Sequence, residues 1–286
     1  MEGYGRPADA PRNFFRYNTD IGQNFLRDRS VVEWMIKRAG IGASDSVLEV
    51  GPGRGILTRG ILETDCAHLD AIELDTRLAA DLEPIAGRDE RLTLHWHDAV
   101  RFDYSTLSPA PSHVIANLPY HITTPLIWRL MEFLSGRGMR YMLLMTQHEA
   151  AIRITSGAPG RLSGPLGITI AATGEAALLR RVPRGAFIPA PRVDSSIVEV
   201  KLTGERPDLP RDDLWRRLLA GSFAQRRKTL VNNWAAAFGA PRELSAEILA
   251  SHSIQPLGRP EELTLKSWLA LRGDESLCGI ISGARK

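Results

Sequence analysis

Val47-Leu48-Glu49-Val50 runs straight into Gly51-Pro52-Gly53-Arg54-Gly55, and apolar residues then recur at helical spacing through Leu57–Glu63. Glycines at a strand-to-helix turn let the backbone approach a ligand closely, and the helix N-terminus beyond offers free N–H groups. Outward from this turn, β-rich runs at 69–73, 92–96, 114–117 and 141–145 alternate with helical patterns at 77–85 and 125–134. Ser30–Ala39 precedes them as a further helix. Such alternation predicts an α/β fold, a parallel sheet with helices on both faces. Ile168–Ala172 and Val193–Leu202 read as additional strands.

Two carboxylates give the turn a ligand. Glu73 ends the second strand, where open α/β sheets place an acceptor for ribose hydroxyls. Asp98, at the end of the third, is placed to accept from the exocyclic amine of an adenine. Each alone also reads as a turn residue. With Gly51 and Gly53 they outline an adenosine-shaped pocket. A dinucleotide fingerprint would need glycine at position 56, where Ile56 stands, and there is no Lys-Ser/Thr pair to cradle phosphates. A nucleoside with a sulfonium side chain, S-adenosylmethionine, remains.

The fourth strand ends in Asn117-Leu118-Pro119-Tyr120. A base amine is a poor nucleophile because its lone pair is delocalised into the ring. Acceptors for both amine protons favour a pyramidal nitrogen, and the Asn117 side-chain carbonyl and the Leu118 backbone carbonyl are candidates. Pro119 restricts Leu118 to extended conformations. Tyr120 offers a ring on which an unstacked base can rest. The bland alternative is a strand-end turn whose Asn satisfies its own backbone.

Near residues 204–210 proline, glycine and charge mark a linker. Beyond it only helical patterns occur, at 212–223, 228–238, 244–251 and 261–271. The expected division is therefore a cofactor-binding domain over residues 1–205, with an N-terminal arm to about residue 29, and a small helical domain over 206–286. Charge is also uneven along the chain, a basic segment following an acidic one. Residues 31–150 hold 11 Lys/Arg against 16 Asp/Glu, whereas residues 151–230 hold 14 against 7. Arg226-Arg227-Lys228 reads as the opening of a helix, where cations do not serve the helix dipole, and RNA phosphate is their expected partner.

Two distant cysteines, Cys66 and Cys278, argue against a disulfide framework or a zinc site and suit a reducing cytoplasm. His95, His97 and His121 lack the further ligands that a metal would need. No run reaches the length of a membrane helix.

These motifs in order resemble the ribosomal RNA adenine N6,N6-dimethyltransferase family. Gly22-Gln23-Asn24-Phe25-Leu26 is similar to its N-terminal signature. The runs from Glu49 to Gly53, from Ile72 to Asp75 and from Asn117 to Tyr120 are similar to its methyltransferase motifs. Gln147-His148-Glu149, Phe187–Ser196 and Gln225–Leu230 carry the resemblance into the second half. Asp20-Ile21 and Ser163–Ile168 depart from the family pattern.

The resemblance implies a Rossmann-like class I methyltransferase sheet, with Asn24, Leu26, Gly51, Glu73, Asp98 and Asn117 lining the cofactor site. It implies that Phe187 approaches the target adenine opposite Tyr120. The expected substrate is a pair of adjacent adenosines in a hairpin near the end of small-subunit ribosomal RNA, and the expected partner is the small-subunit precursor, met by a monomer. Two alternatives stay open: a large-subunit methylase conferring macrolide resistance, and a non-catalytic RNA-binding factor on the same fold.

Overall fold

The strands expected from the alternating runs form within two residues of their expected limits in a computed structural model that describes residues 23–284. Asp20, Ile21, Gly22 and the earlier part of the expected arm lie outside the described residues. In chain order the strands are β1 (Phe25–Leu26), β2 (Ser46–Val50), β3 (His68–Glu73), β4 (Leu92–Trp96), β5 (His113–Asn117), β6 (Tyr141–Gln147), β7 (Gly174–Val182), β8 (Phe187–Ile188) and β9 (Ser195–Leu202). The helices are α1 (Arg29–Ala39), α2 (Ile56–Leu62), α3 (Ala79–Ala86), α4 (Thr123–Leu134), α5 (His148–Thr155), α6 (Pro165–Thr173), α7 (Asp213–Ser222), α8 (Leu230–Phe238), α9 (Arg242–Ser251), α10 (Leu265–Arg272) and α11 (Glu275–Gly283).

The main sheet runs β4-β3-β2-β5-β6-β9-β7. β4 through β6 are parallel, and β9 is antiparallel to both of its neighbours. The chain leaves β2 toward β4 on one side and returns to β5 on the other. The order therefore reverses between β2 and β5, which opens a crevice at their carboxyl ends.

Both faces of the sheet are covered, so the central strands are buried throughout and read as near-continuous apolar runs. Leu48, Val50, Val114 and Ala116 pack with Leu126, Ile127 and Leu130 of α4. Val47, Leu69, Ile115 and Leu143 pack on the opposite face with Val31 and Met35 of α1 and Leu57 and Ile61 of α2.

Two sequence readings are corrected. Ile168–Ala172 is not a strand but the middle of α6. Leu166 and Ile170 pack with the sheet face bearing α4, while Ile168 and Ala172 pack with the helical unit. A helix buried on opposite sides loses its 3.6-residue stripe, and its apolar residues then mimic strand alternation. Arg226-Arg227-Lys228 does not open a helix but forms the turn before α8, because Thr229 is the N-cap and accepts from Asn232 N–H. The structure adds β1, β7, β8, α5 and α11, which the sequence pattern does not predict.

The helical unit recruits α6 into its core, so the burial pattern does not divide at residue 206 as the chain pattern does. Trp215 on α7 is fully buried, and its indole N–H donates to the Thr169 hydroxyl on α6 at 2.8 Å. Trp215→Ala is expected to destabilise the protein by about 3–5 kcal/mol. Trp215→Phe, which keeps most of the ring but removes the donor, is expected to cost about 1 kcal/mol. Urea denaturation followed by circular dichroism would measure both, and a Trp215→Phe protein as stable as the wild type would show that the Thr169 bond contributes nothing.

Candidate active site

The crevice at the order reversal is a half-open cleft of about 930 Å³, solvent at its mouth included. Gly51 and Gly53 from the turn after β2 line it, with Glu73 from the end of β3, Asp98 after β4, and Asn117 to Tyr120 after β5. Gln23, Asn24 and Phe25 contribute from the N-terminal segment. Leu74, Ala99 and Ile122 add apolar surface, and none of these three was singled out by the sequence.

The glycine turn is shaped for a ligand to approach. Gly51 and Gly53 hold φ of +71° and +59°, a region that side chains disfavour. A Cβ at Gly53 would lie 2.8 Å from the Phe25 ring. Glu73 supports the turn from below. Its Oε2 accepts the Gly53 N–H at 3.1 Å and its Oε1 accepts the Asp75 N–H at 2.9 Å. Burial pushes the Glu73 carboxyl upward, and these backbone donors oppose that shift. Each oxygen keeps a further lone pair, so the group can still accept from hydroxyls. Asp98 Oδ1 takes the Val100 N–H at 2.9 Å, while among the described residues Oδ2 has Arg101 at 3.7 Å.

At the end of β5 the backbone is held by its neighbours. Leu118 N–H donates to the Met145 carbonyl of β6 at 2.9 Å. Pro119 is extended, at φ −57° and ψ 131°, and a helical turn begins at Tyr120. Asn117 Nδ2 donates to the Asn24 carbonyl at 3.1 Å. The Tyr120 hydroxyl pairs with Ser195 Oγ at 2.8 Å, which fixes the ring's far end. Burial pushes the Tyr120 phenol above its ordinary range, so the ring stays neutral.

Other expected residues lie elsewhere. Leu26 is buried and borders a small cavity beneath the glycine turn instead of the main cleft. Phe187 does not reach the cleft in this conformation. It pairs with Leu26 through β8 and is 2% exposed, packed with Val182 and Ala186 in the core. Arg226 Nη2 donates to the Arg161 and Ser163 carbonyls at 3.0 and 3.1 Å, which carries its cation to the rim of a second groove. That groove also contains Gln147, Glu149 and Tyr120, so the cleft and the groove meet at Tyr120.

Comparison with known proteins converges with this geometry. The family model described as ribosomal RNA adenine dimethylase matches residues 14–270. The chain belongs to the ribosomal RNA adenine dimethylase family. It is 40% identical to ribosomal RNA small subunit methyltransferase A of Alcanivorax borkumensis, over 88% of this chain and 87% of that one. Identity to the protein of that name from Acinetobacter baylyi is 36%, over 88% and 89%. Among solved structures, a dimethyladenosine transferase from Plasmodium falciparum superposes with a TM-score of 0.73 at 26% identity, covering 89% of this chain and 98% of that one. The 23S rRNA methyltransferase ErmE shares the fold, with a TM-score of 0.64 at 23% identity over 87% and 98%.

Family membership makes the chain an S-adenosylmethionine-dependent methyltransferase, and the cleft suits that cofactor. Gly51 and Gly53, the residues of the turn that line the cleft, carry no side chains to obstruct it, and carboxylates stand at the ends of two adjacent strands, β3 and β4.

Beneath the turn lies a feature that the sequence reading did not assign. Glu49 is 1% exposed, and neither of its carboxylate oxygens has a hydrogen-bond partner among the described residues. Burial pushes its carboxyl up to about 8 against the opposing effect of nearby Thr58, and the charge of Glu73 adds to the rise. The folded protein therefore retains a proton that the unfolded chain releases near pH 4.5. Stability contributed by that proton is complete below the unfolded value and is lost as pH rises through about 8. Glu49→Gln is uncharged at every pH. Urea denaturation of the cofactor-free proteins between about pH 4 and about pH 9 should show near parity in acid and a growing advantage for Glu49→Gln toward pH 8. A difference that is flat with pH would refute the assignment.

Proposed function

We propose that the protein transfers methyl groups from S-adenosylmethionine to the N6 amines of two adjacent adenosines, in a hairpin near the 3′ end of small-subunit ribosomal RNA, during subunit assembly. The observation that carries this reading is the junction at Tyr120. A methyl-donor cleft opens there onto a groove whose rim bears Arg226, with Arg227 and Lys228 exposed beside it. The relatives named for the small subunit favour that substrate over large-subunit RNA.

When bound, S-adenosylmethionine supplies a methyl group on a sulfonium, which is already a good leaving group. Gly51, Gly53 and Asn24 bound its seat, Glu73 accepts from the ribose hydroxyls, and Asp98 accepts from the adenine amine. The target base leaves its stack and rests on Tyr120. Asn117 Oδ1 and the Leu118 carbonyl accept the two protons of its amine, which aims the nitrogen lone pair into the cleft. Positioning at about 3–3.5 Å, without a strong base, carries the rate. Phe187 would have to turn out of the core to meet the base from the other side.

The enzyme is read as a cytoplasmic monomer acting on small-subunit precursors. None of the described helices is long and apolar enough to cross a membrane.

Labelled S-adenosylmethionine incubated with immature small subunits should yield dimethyladenosine in their RNA. Label confined to large-subunit RNA would move the enzyme to the resistance branch, and cofactor binding without transfer to either RNA would support a non-catalytic factor. Asn117→Ala should lower turnover by about a hundredfold or more while RNA affinity stays near wild type, and full activity would remove Asn117 from the mechanism.

Replacing Arg226, Arg227 and Lys228 together by alanine tests the cationic rim. Affinity for small-subunit RNA should fall, and the slope of log affinity against log salt should flatten by about 0.7–0.9 for each phosphate that the protein no longer neutralises. An unchanged slope in a filter-binding titration would assign these residues to a solvated surface.

A further inference from the structure

Residues 23–26 cross the edge of the cofactor cleft as a strap, and they are tied at both ends. Gln23 Nε2 donates to Asp75 Oδ2 at 2.6 Å. Beyond Leu26, the N–H groups of Arg27 and Asp28 both reach the Ala186 carbonyl, at 2.9 and 3.3 Å, and β1 pairs with β8. Between these ties the Asn24 carbonyl receives Asn117 Nδ2.

That last bond decides how the Asn117 amide faces. A backbone carbonyl only accepts, so the amide atom turned to Asn24 must be the nitrogen. The oxygen is thereby directed away from the strap. An amide free of this tie could rotate by half a turn and present N–H donors to the incoming amine, which needs an acceptor there.

We propose that Gln23 and Asp75 are positioning residues for methyl transfer: their bond holds the Asn24 carbonyl against Asn117, and so keeps the Asn117 oxygen available to the substrate amine. The proposal rests on the role given to Asn117 under Proposed function.

Asp75 is suited to anchor the strap. It is 8% exposed, and its own N–H is fixed on Glu73 Oε1. Arg77 grips both of its carboxylate oxygens, through Nε at 2.8 Å and Nη2 at 2.6 Å. The Arg77 guanidinium, with Gln23 assisting, holds the carboxyl down to about 2, so the anchor keeps its charge at any working pH. The contacts then close a circuit. Asp75 is joined to Glu73, Glu73 to Gly53, and Gly53 packs under the Phe25 ring next to Asn24. The residue expected to hold the ribose and the residue expected to hold the target amine are thus braced by one network.

A strap that serves only as a wall and a strap that orients Asn117 differ in which kinetic constant they move. Gln23→Ala and Asp75→Ala should each lower kcat about tenfold at saturating cofactor and RNA, short of the roughly hundredfold that a misplacement of about 1 Å can cost. The cofactor dissociation constant, measured by calorimetry on the full-length protein, should change by less than kcat does. The double variant should be no slower than the slower single variant, because both changes cut one tie. Gln23→Lys, whose ammonium can donate to Asp75, should recover most of the lost kcat.

Full kcat in Gln23→Ala, with only weaker cofactor binding, overturns the proposal and leaves the strap as a wall. Additive losses in the double variant also overturn it. Asn117→Ala assayed alongside separates the two levels. If it is inactive while Gln23→Ala is fully active, only the strap's role falls. If it retains full activity, the reading of Asn117 falls and this proposal with it.

Discussion

The Glu73 carboxylate is the joint on which the cofactor end of the sheet depends. It stands at the end of β3 and accepts one N–H from the turn after β2 and another from the turn after its own strand. Two loops that carry no regular hydrogen bonding are thereby fixed to one side chain. Its burial favours the neutral form and the two donors favour the charged one. At Glu49 burial outweighs the nearby Thr58 hydroxyl and N–H, which favour the charged form, so its proton stays on. A pair of carboxyls one strand apart therefore divides into a hydrogen-bond acceptor and a neutral group, as their surroundings dictate.

Function also depends on how the helical unit is coupled to the sheet. α6 is wedged between them, and the Trp215–Thr169 bond crosses the join. The loop before α6 supplies the Arg161 and Ser163 carbonyls that orient Arg226. A cation in the helical unit is thus positioned by the sheet domain, and the groove between the two ends at the Tyr120 ring. Within the Ser163–Ile168 stretch, Gly167 packs so closely on the end of α5 that a Cβ would collide with the Ser156 carbonyl.

Much of the architecture was legible in the chain because the central strands are short apolar runs punctuated by turns, and covering helices such as α4 carry an apolar stripe against one face. The wedge helix was not legible. Burial on both sides erased the stripe, and Ile168, Ile170 and Ala172 then alternated as a strand would. β7 was hidden for a related reason: as an edge strand it is half exposed, and Arg180 and Arg181 interrupt its pattern. α8 starts two residues later than the apolar spacing suggests, because the Thr229 hydroxyl accepts the Asn232 N–H and so marks the boundary.

By itself the sequence determined which groups the site would contain. Glycines without side chains, carboxylates at strand ends and an Asn-Leu-Pro-Tyr turn are chemical types at fixed spacings along strands, and the parallel sheet brings strand ends together wherever it forms. Only the tertiary structure decided which way those groups face. Asn117 is oriented by a carbonyl 93 residues away, and the Gln23–Asp75 tie spans 52 residues. Phe187 is turned into the core by pairing with Leu26. Orientation of an amide or a ring is set by its partners across space, and a linear pattern holds no record of them.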